Sequence, residues 1–139
     1  MVLQIRTAEP KDARLLAEHD RHIAERELLD CIQRGMVDCL EQDGIFIGWM
    51  RYGLFWDSIP FLNMMFLLEP YRRKGYGREA LLAWEVKQAR RGFLQVMTST
   101  AAKEPAQHFY RKLGYRDAGG FFPLGEPYEL LLVKELAVC

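Results

Sequence analysis

Net charge is missing from this chain, whose 19 basic side chains are matched by 19 acidic ones. A general nucleic-acid binder carries a basic surplus, so that class is excluded and any cluster of cations is a local feature. Cysteine is scarce. Cys31, Cys39 and Cys139 are odd in number and show no CxxC spacing. That argues against a disulfide framework and for reduced thiols in a cytoplasmic protein. No apolar run is long enough for a membrane span, because Arg51, Asp57 and Asn63 interrupt the most apolar region, Ile45 to Leu68. The amino terminus lacks a basic-then-apolar signal pattern, and repeats, low-complexity tracts and linkers are absent. What is present is a chain of 139 residues, half of them hydrophobic, enough to bury a core. One domain over residues 1–139 is expected.

Hydrophobic periodicity sets the expected elements. Val2 to Arg6 alternates as a strand. Thr7 can cap a helix with Pro10 in its first turn, running to about Glu25, and a short helix over Arg26 to Arg34 ends at Gly35. Strands are expected over Met36 to Glu41, Ile45 to Phe55 and Phe61 to Leu68, with turns at Asp43-Gly44 and Asp57-Ser58. A helix over Gly75 to Arg90 places Tyr76, Ala80 and Trp84 on one side and stops at Gly92. The strand Phe93 to Met97 then lies parallel to Phe61–Leu68 in a right-handed crossover. A helix from Pro105 to Gly114 follows, then a strand over Tyr115 to Ala118, turns at Gly119-Gly120 and Pro123 to Pro127, and a buried strand over Tyr128 to Lys134. The fold class expected is α/β, with a mixed, mostly antiparallel central sheet flanked by helices.

The organising stretch is Pro60 to Trp84. An apolar strand ends at Glu69-Pro70, the basic turn Tyr71-Arg72-Arg73-Lys74-Gly75-Tyr76-Gly77-Arg78 follows, and a helix opens directly after it. The first N–H groups of a helix have no partner inside it, and the macrodipole adds partial positive charge there. Gly75 and Gly77 remove side chains that would block a ligand, and the arginines and Lys74 add full charges. A phosphate-bearing ligand is therefore expected on Arg72 to Arg78. The turn is not a P-loop, since no Gly-Lys-Ser/Thr follows. Gly75-x-Gly77-x-x-Ala80 has the spacing of a dinucleotide fingerprint. Here, however, Pro70 and three cations separate strand from glycines, and too little chain follows for a doubly wound domain.

Arg72-x-x-Gly75-x-Gly77 between strand and helix resembles the acyl-CoA pyrophosphate loop of the GNAT acyltransferase superfamily. Ala106-Gln107-His108-Phe109-Tyr110-Arg111-Lys112-Leu113-Gly114-Tyr115 resembles that family's downstream helix, A-x-x-F-Y-x-x-x-G-F/Y. Both motifs occur in order with a strand between them, and the order of elements agrees over almost the whole chain. The resemblance implies an N-acetyltransferase that uses acetyl-CoA as co-substrate and a primary amine of a small molecule or protein as acceptor, by direct attack and without a metal. It implies that Arg72, Arg73, Lys74, Gly75, Tyr76, Gly77 and Arg78 hold the pyrophosphate. It implies as well that Phe66, Leu67 and Leu68 line the pantetheine arm and that Phe109 and Tyr110 stand by the cofactor. By the same resemblance, Tyr110 is expected to be the acid that protonates the departing thiolate. Lys103 stands where the family often has asparagine and would reach a phosphate instead. The link Glu69-Pro70-Tyr71 is one residue shorter than is usual there. The base that frees the amine stays open among Glu69, Asp57 and a water relay. A homodimer is compatible with this reading; a nucleic-acid or membrane partner is not. The alternatives are an acyl-CoA-binding sensor without catalysis and a nucleotide-binding regulator.

The remaining side chains have plainer readings. His19 and His22 lack a third metal ligand and read as surface residues or as a border of the acceptor pocket. His108 is expected to face solvent. Phe121, Phe122 and Pro123 read as loop packing, and Trp49, Trp56, Met50, Met64 and Met65 as core.

Overall fold

A computed structural model describes residues 2–137. It shows the mixed α/β architecture expected: a seven-stranded, mostly antiparallel sheet in the order β1-β2-β3-β4-β5-β7-β6, flanked by four α-helices. In chain order the elements are β1 (Leu3–Thr7), α1 (Ala13–His19), α2 (Glu25–Gln33), β2 (Val37–Gln42), β3 (Ile45–Phe55), β4 (Ile59–Leu67), α3 (Tyr76–Arg90), β5 (Gln95–Ala101), α4 (Ala106–Lys112), β6 (Arg116–Phe121) and β7 (Glu129–Glu135). Short 3-10 turns precede α1 and follow β4. No helix among the described residues is long and apolar enough to cross a membrane. Cys31 and Cys39 are free thiols, both pushed up by burial, the latter to about 11. Cys139 lies outside the described residues.

The chain gathers into two compact units. One holds the residues up to Gly53 with Asn63–Trp84; the other holds Leu54–Leu62 and the residues from Glu85 onward. In the first, β1 runs antiparallel to β2, and β2 antiparallel to β3 with a register slip at Leu40/Glu41. Asp43 (φ 52°) and Gly44 (φ 79°) are both left-handed, the conformation that a two-residue hairpin turn demands. Leu16, Leu28 and Ile32 bury their side chains against Val37, Cys39 and Trp49. Each such burial stabilises by roughly 1.5–3 kcal/mol.

The expected helix from Pro10 to Glu25 is shorter than the sequence suggests. Pro10 opens a 3-10 turn in which the Glu9 N–H, rather than Thr7, meets a carboxylate, that of Asp12 at 2.8 Å. The α-helix then stops at His19, because Asp20 leaves helical geometry (φ −88°, ψ 93°) and turns its carboxylate inward. Gly35 (φ 74°) closes α2 as expected.

In the second unit β4 and β5 pair in parallel, Phe61 with Met97 and Leu62 with Thr98, as the crossover rule requires. β5 starts later than expected, at Gln95. The Phe93 N–H is taken by the Gln88 carbonyl (3.1 Å) where left-handed Gly92 ends α3. The strand over Tyr128 to Lys134 appears as β7, between β5 and β6. Gly119 and Gly120 do not turn the chain. They lie within β6, at a register slip between Asp117 and Gly120. Trp56 is not core. It is 83% exposed, because Trp56 (φ 56°) and Asp57 (φ 59°) together form the β3–β4 turn.

Candidate functional site

The turn after β4 is built by exhausting some backbone donors and leaving others free. The Leu68 N–H donates to the Ile47 carbonyl (2.8 Å), Tyr71 to Leu68 (2.9 Å) and Arg72 to Glu69 (3.2 Å). Glu79 then donates to Gly75 (3.1 Å), the first bond of α3. Among the described residues, the amides of residues 73 to 78 donate to nothing. Arg73 (φ 61°) and Gly75 (φ 84°) are left-handed, a backbone form that curls successive N–H groups into an anion-binding nest. A side chain on Gly75 would meet nothing within 4 Å, so the space before it is open. Arg73, Lys74 and Arg78 are exposed, and none of them pairs with a carboxylate among the described residues. The Gln42 amide donates to the Tyr76 hydroxyl at 2.6 Å and pins the start of the helix to β2.

Arg72 differs from its expected role. Its amide is used, and its side chain folds back onto β4. Nε donates to the Leu67 carbonyl at 2.8 Å, the guanidinium lies 4.7 Å from the Phe66 ring centroid, and Glu69 is 3.9 Å away. Arg72 therefore ties the strand to the turn, while Arg73, Lys74 and Arg78 carry the free charge. Phe66 also meets Trp49 (5.0 Å), which stacks on Phe46, and His19 lies against both Phe46 and Trp49. His19 is thus half-buried in an aromatic row rather than a surface residue; His22 is exposed. Leu67 and Leu68 are half-buried. Gly48 of β3 has no room for a Cβ, which would overlap the Phe66 carbonyl.

In the second unit Gln107 donates to the Ala102 and Glu104 carbonyls (2.6 and 3.0 Å), locking the entry of α4. Tyr110 is 7% exposed and Phe109 half-buried, their rings edge to face at 5.2 Å. Burial pushes the Tyr110 phenol up, and Thr98 beside it is a smaller influence in the other direction. The Thr98 hydroxyl donates to the Leu62 carbonyl at 2.9 Å. Lys103 and His108 are exposed, so both are free to meet solvent or an anion. Glu69, with 85% of its side chain exposed, and Asp57, on the β3–β4 turn, both stand in water.

Two buried polar clusters were not legible in the sequence. Asp20 accepts from Arg51 Nε (2.7 Å), Arg51 Nη2 (3.4 Å), Trp49 Nε1 (3.1 Å) and the His22 amide (3.3 Å). Glu85 accepts from the Tyr115 hydroxyl (2.8 Å) and Lys134 Nζ (2.7 Å). The available signal was a charge placed among apolar residues: Arg51 in β3, Glu85 beside Leu81 and Trp84 on α3. Among the described residues no group of three or more His, Cys, Asp or Glu side chains is placed to hold a metal.

Known proteins resemble this chain in family and in fold. Residues 2–115 match the Acetyltransferase (GNAT) family. No curated protein matches the chain. Among solved structures, Ard1 from Thermoplasma volcanium is similar in fold, with a TM-score of 0.83 at 16% identity, covering 99% of both chains. The ribosomal-protein-S18-alanine N-acetyltransferase from Escherichia coli gives 0.81 at 18%, covering 99% of this chain and 96% of its own. The PaiA N-acetyltransferase from Thermoplasma acidophilum, solved in complex with coenzyme A, gives 0.72 at 16%, covering 97% and 99%.

Proposed function

Because this chain belongs to the acetyltransferase (GNAT) family, we propose that residues 1–139 act as one domain that moves an acetyl group from acetyl-CoA to a primary amine. The acceptor is a small molecule or a protein amino group. The observation that carries this reading is the open row of amides at residues 73 to 78, flanked by three cations that are unpaired among the described residues. Acetyl-CoA supplies the activated thioester. Residues 73 to 78 hold its diphosphate through backbone N–H groups, with Arg73, Lys74 and Arg78 adding charge. Phe66, Leu67 and Leu68 flank the pantetheine, Phe109 packs beside it, and Lys103 reaches a phosphate. The amine lone pair attacks the thioester carbon, the C–S bond breaks, and Tyr110 gives its proton to the sulfur. The proton lost by the new amide returns to Tyr110 through solvent. Two unbridged thiols, Cys31 and Cys39, suit a cytoplasmic setting.

A thermal melt separates this reading from a nucleotide-binding one. Coenzyme A at about a hundred times its dissociation constant stabilises the fold by about 2.7 kcal/mol. At this chain length that raises Tm by about 5–15 °C. NAD should leave Tm unchanged; a response to NAD and none to coenzyme A contradicts the proposal. Thiol release from acetyl-CoA with spermidine, ethanolamine and an alanine-terminated peptide then separates an enzyme from a sensor.

A further inference from the structure

Tyr110 is held by more than its own helix. Its carbonyl accepts two amides, Leu113 at 3.0 Å and Tyr115 at 3.1 Å, across the left-handed Gly114 (φ 96°). The Tyr115 ring stands edge-on to the Tyr110 ring at 5.4 Å. Tyr115 is itself fixed. It is 3% exposed, and its hydroxyl donates to Glu85 at 2.8 Å. The other Glu85 oxygen takes Lys134 Nζ at 2.7 Å, and that ammonium also lies 5.7 Å from the Tyr115 ring centroid. Gly114 leaves the path that Lys134 follows; a Cβ there would meet its Cε at 3.4 Å. A carboxylate buried this deeply is costly unless its donors are fixed in place. Its two donors come from the link after α4 and from β7, so the cluster ties both to α3.

We propose that Glu85 and Tyr115 are positioning residues for Tyr110. Glu85 sets the Tyr115 ring by accepting its O–H, and the ring and backbone of Tyr115 set the angle of the Tyr110 phenol. This rests on the reading of Tyr110 as the proton donor to sulfur. It assigns Glu85 and Tyr115 no contact with substrate. Their loss changes how well Tyr110 is aimed, not how well the diphosphate is held.

The test is a double-mutant cycle on thiol release from acetyl-CoA, using the fastest of the three amines above. Tyr115→Phe keeps the ring and removes the hydroxyl. It should lower kcat about five- to ten-fold and leave KM for acetyl-CoA within about two-fold. In a Tyr110→Phe background the same change should alter kcat by less than about 1.5-fold, because the group being aimed is gone. An equal loss in both backgrounds means a general structural role and overturns the proposal, as does an unchanged kcat in the parent. Should Tyr115→Phe fail to fold, Glu85→Gln replaces it in both backgrounds, and the same pattern of kcat supports or overturns the positioning role. The underlying reading fails differently: Tyr110→Phe alone would then keep the parent kcat, or coenzyme A would give no shift in Tm, and the positioning role falls with it.

Discussion

Tyr110→Phe is expected to lower kcat by about 100-fold, the lower end of what a positioned acid contributes. The substitution removes one oxygen from a ring that is almost wholly buried and leaves the packing with Phe109 and Tyr115 in place. Tm should therefore stay within a few degrees of the parent, and the Tm shift with coenzyme A should persist. Loss of kcat with KM for acetyl-CoA unchanged is the pattern of an interaction made only as the C–S bond breaks. Burial pushes the phenol up, so Tyr110 keeps its proton through neutral pH and the acid is available there. Steady-state kinetics from pH 6 to 9 check this. A variant that turns over at the parent rate across that range would place the proton donor elsewhere.

Arg51→Met should be the most destabilising single change in the first unit. Asp20 and Arg51 are both nearly inaccessible and meet at 2.7 Å. Removing the cation leaves a buried carboxylate with, among the described residues, only the Trp49 and His22 N–H groups. Breaking one side of such a pair typically costs about 3–5 kcal/mol. Replacing both partners together, Asp20→Leu with Arg51→Met, should recover most of that, because neither charge is then stranded. Urea unfolding midpoints for the two single variants and the double one measure it. A loss below about 1 kcal/mol for Arg51→Met would show that Asp20 is solvated in practice.

The features legible in the sequence are those whose cause is local. Asp43-Gly44 specifies a hairpin because both residues tolerate left-handed geometry, and Gly35, Gly92 and Gly114 end helices for the same reason. The basic turn before α3 was readable because strand, glycines, cations and helix start are contiguous. What was hidden depends on chain brought together from afar. Asp20 fell inside the helix expected to run to about Glu25, yet its partner is 31 residues away in β3. Glu85 meets Tyr115 and Lys134, 30 and 49 residues distant. Arg72 sits among phosphate-seeking cations, but a carbonyl five residues back claims its Nε. Trp56 has the composition of a core residue and the position of a turn residue, and the turn prevails. Gly119-Gly120 shows the converse: two glycines that permit a turn also permit a bulged strand, and the pairing with β7 decides.

The central claim is that free amides at the mouth of α3 take the diphosphate of coenzyme A. Backbone amide NMR on ¹⁵N-labelled protein tests it directly, with coenzyme A titrated in parallel with pantetheine, which carries no phosphate. The amides of Arg73, Lys74, Gly75, Tyr76, Gly77 and Arg78 should shift with coenzyme A and stay in place with pantetheine. Saturable binding of coenzyme A with those six resonances unmoved would contradict the account.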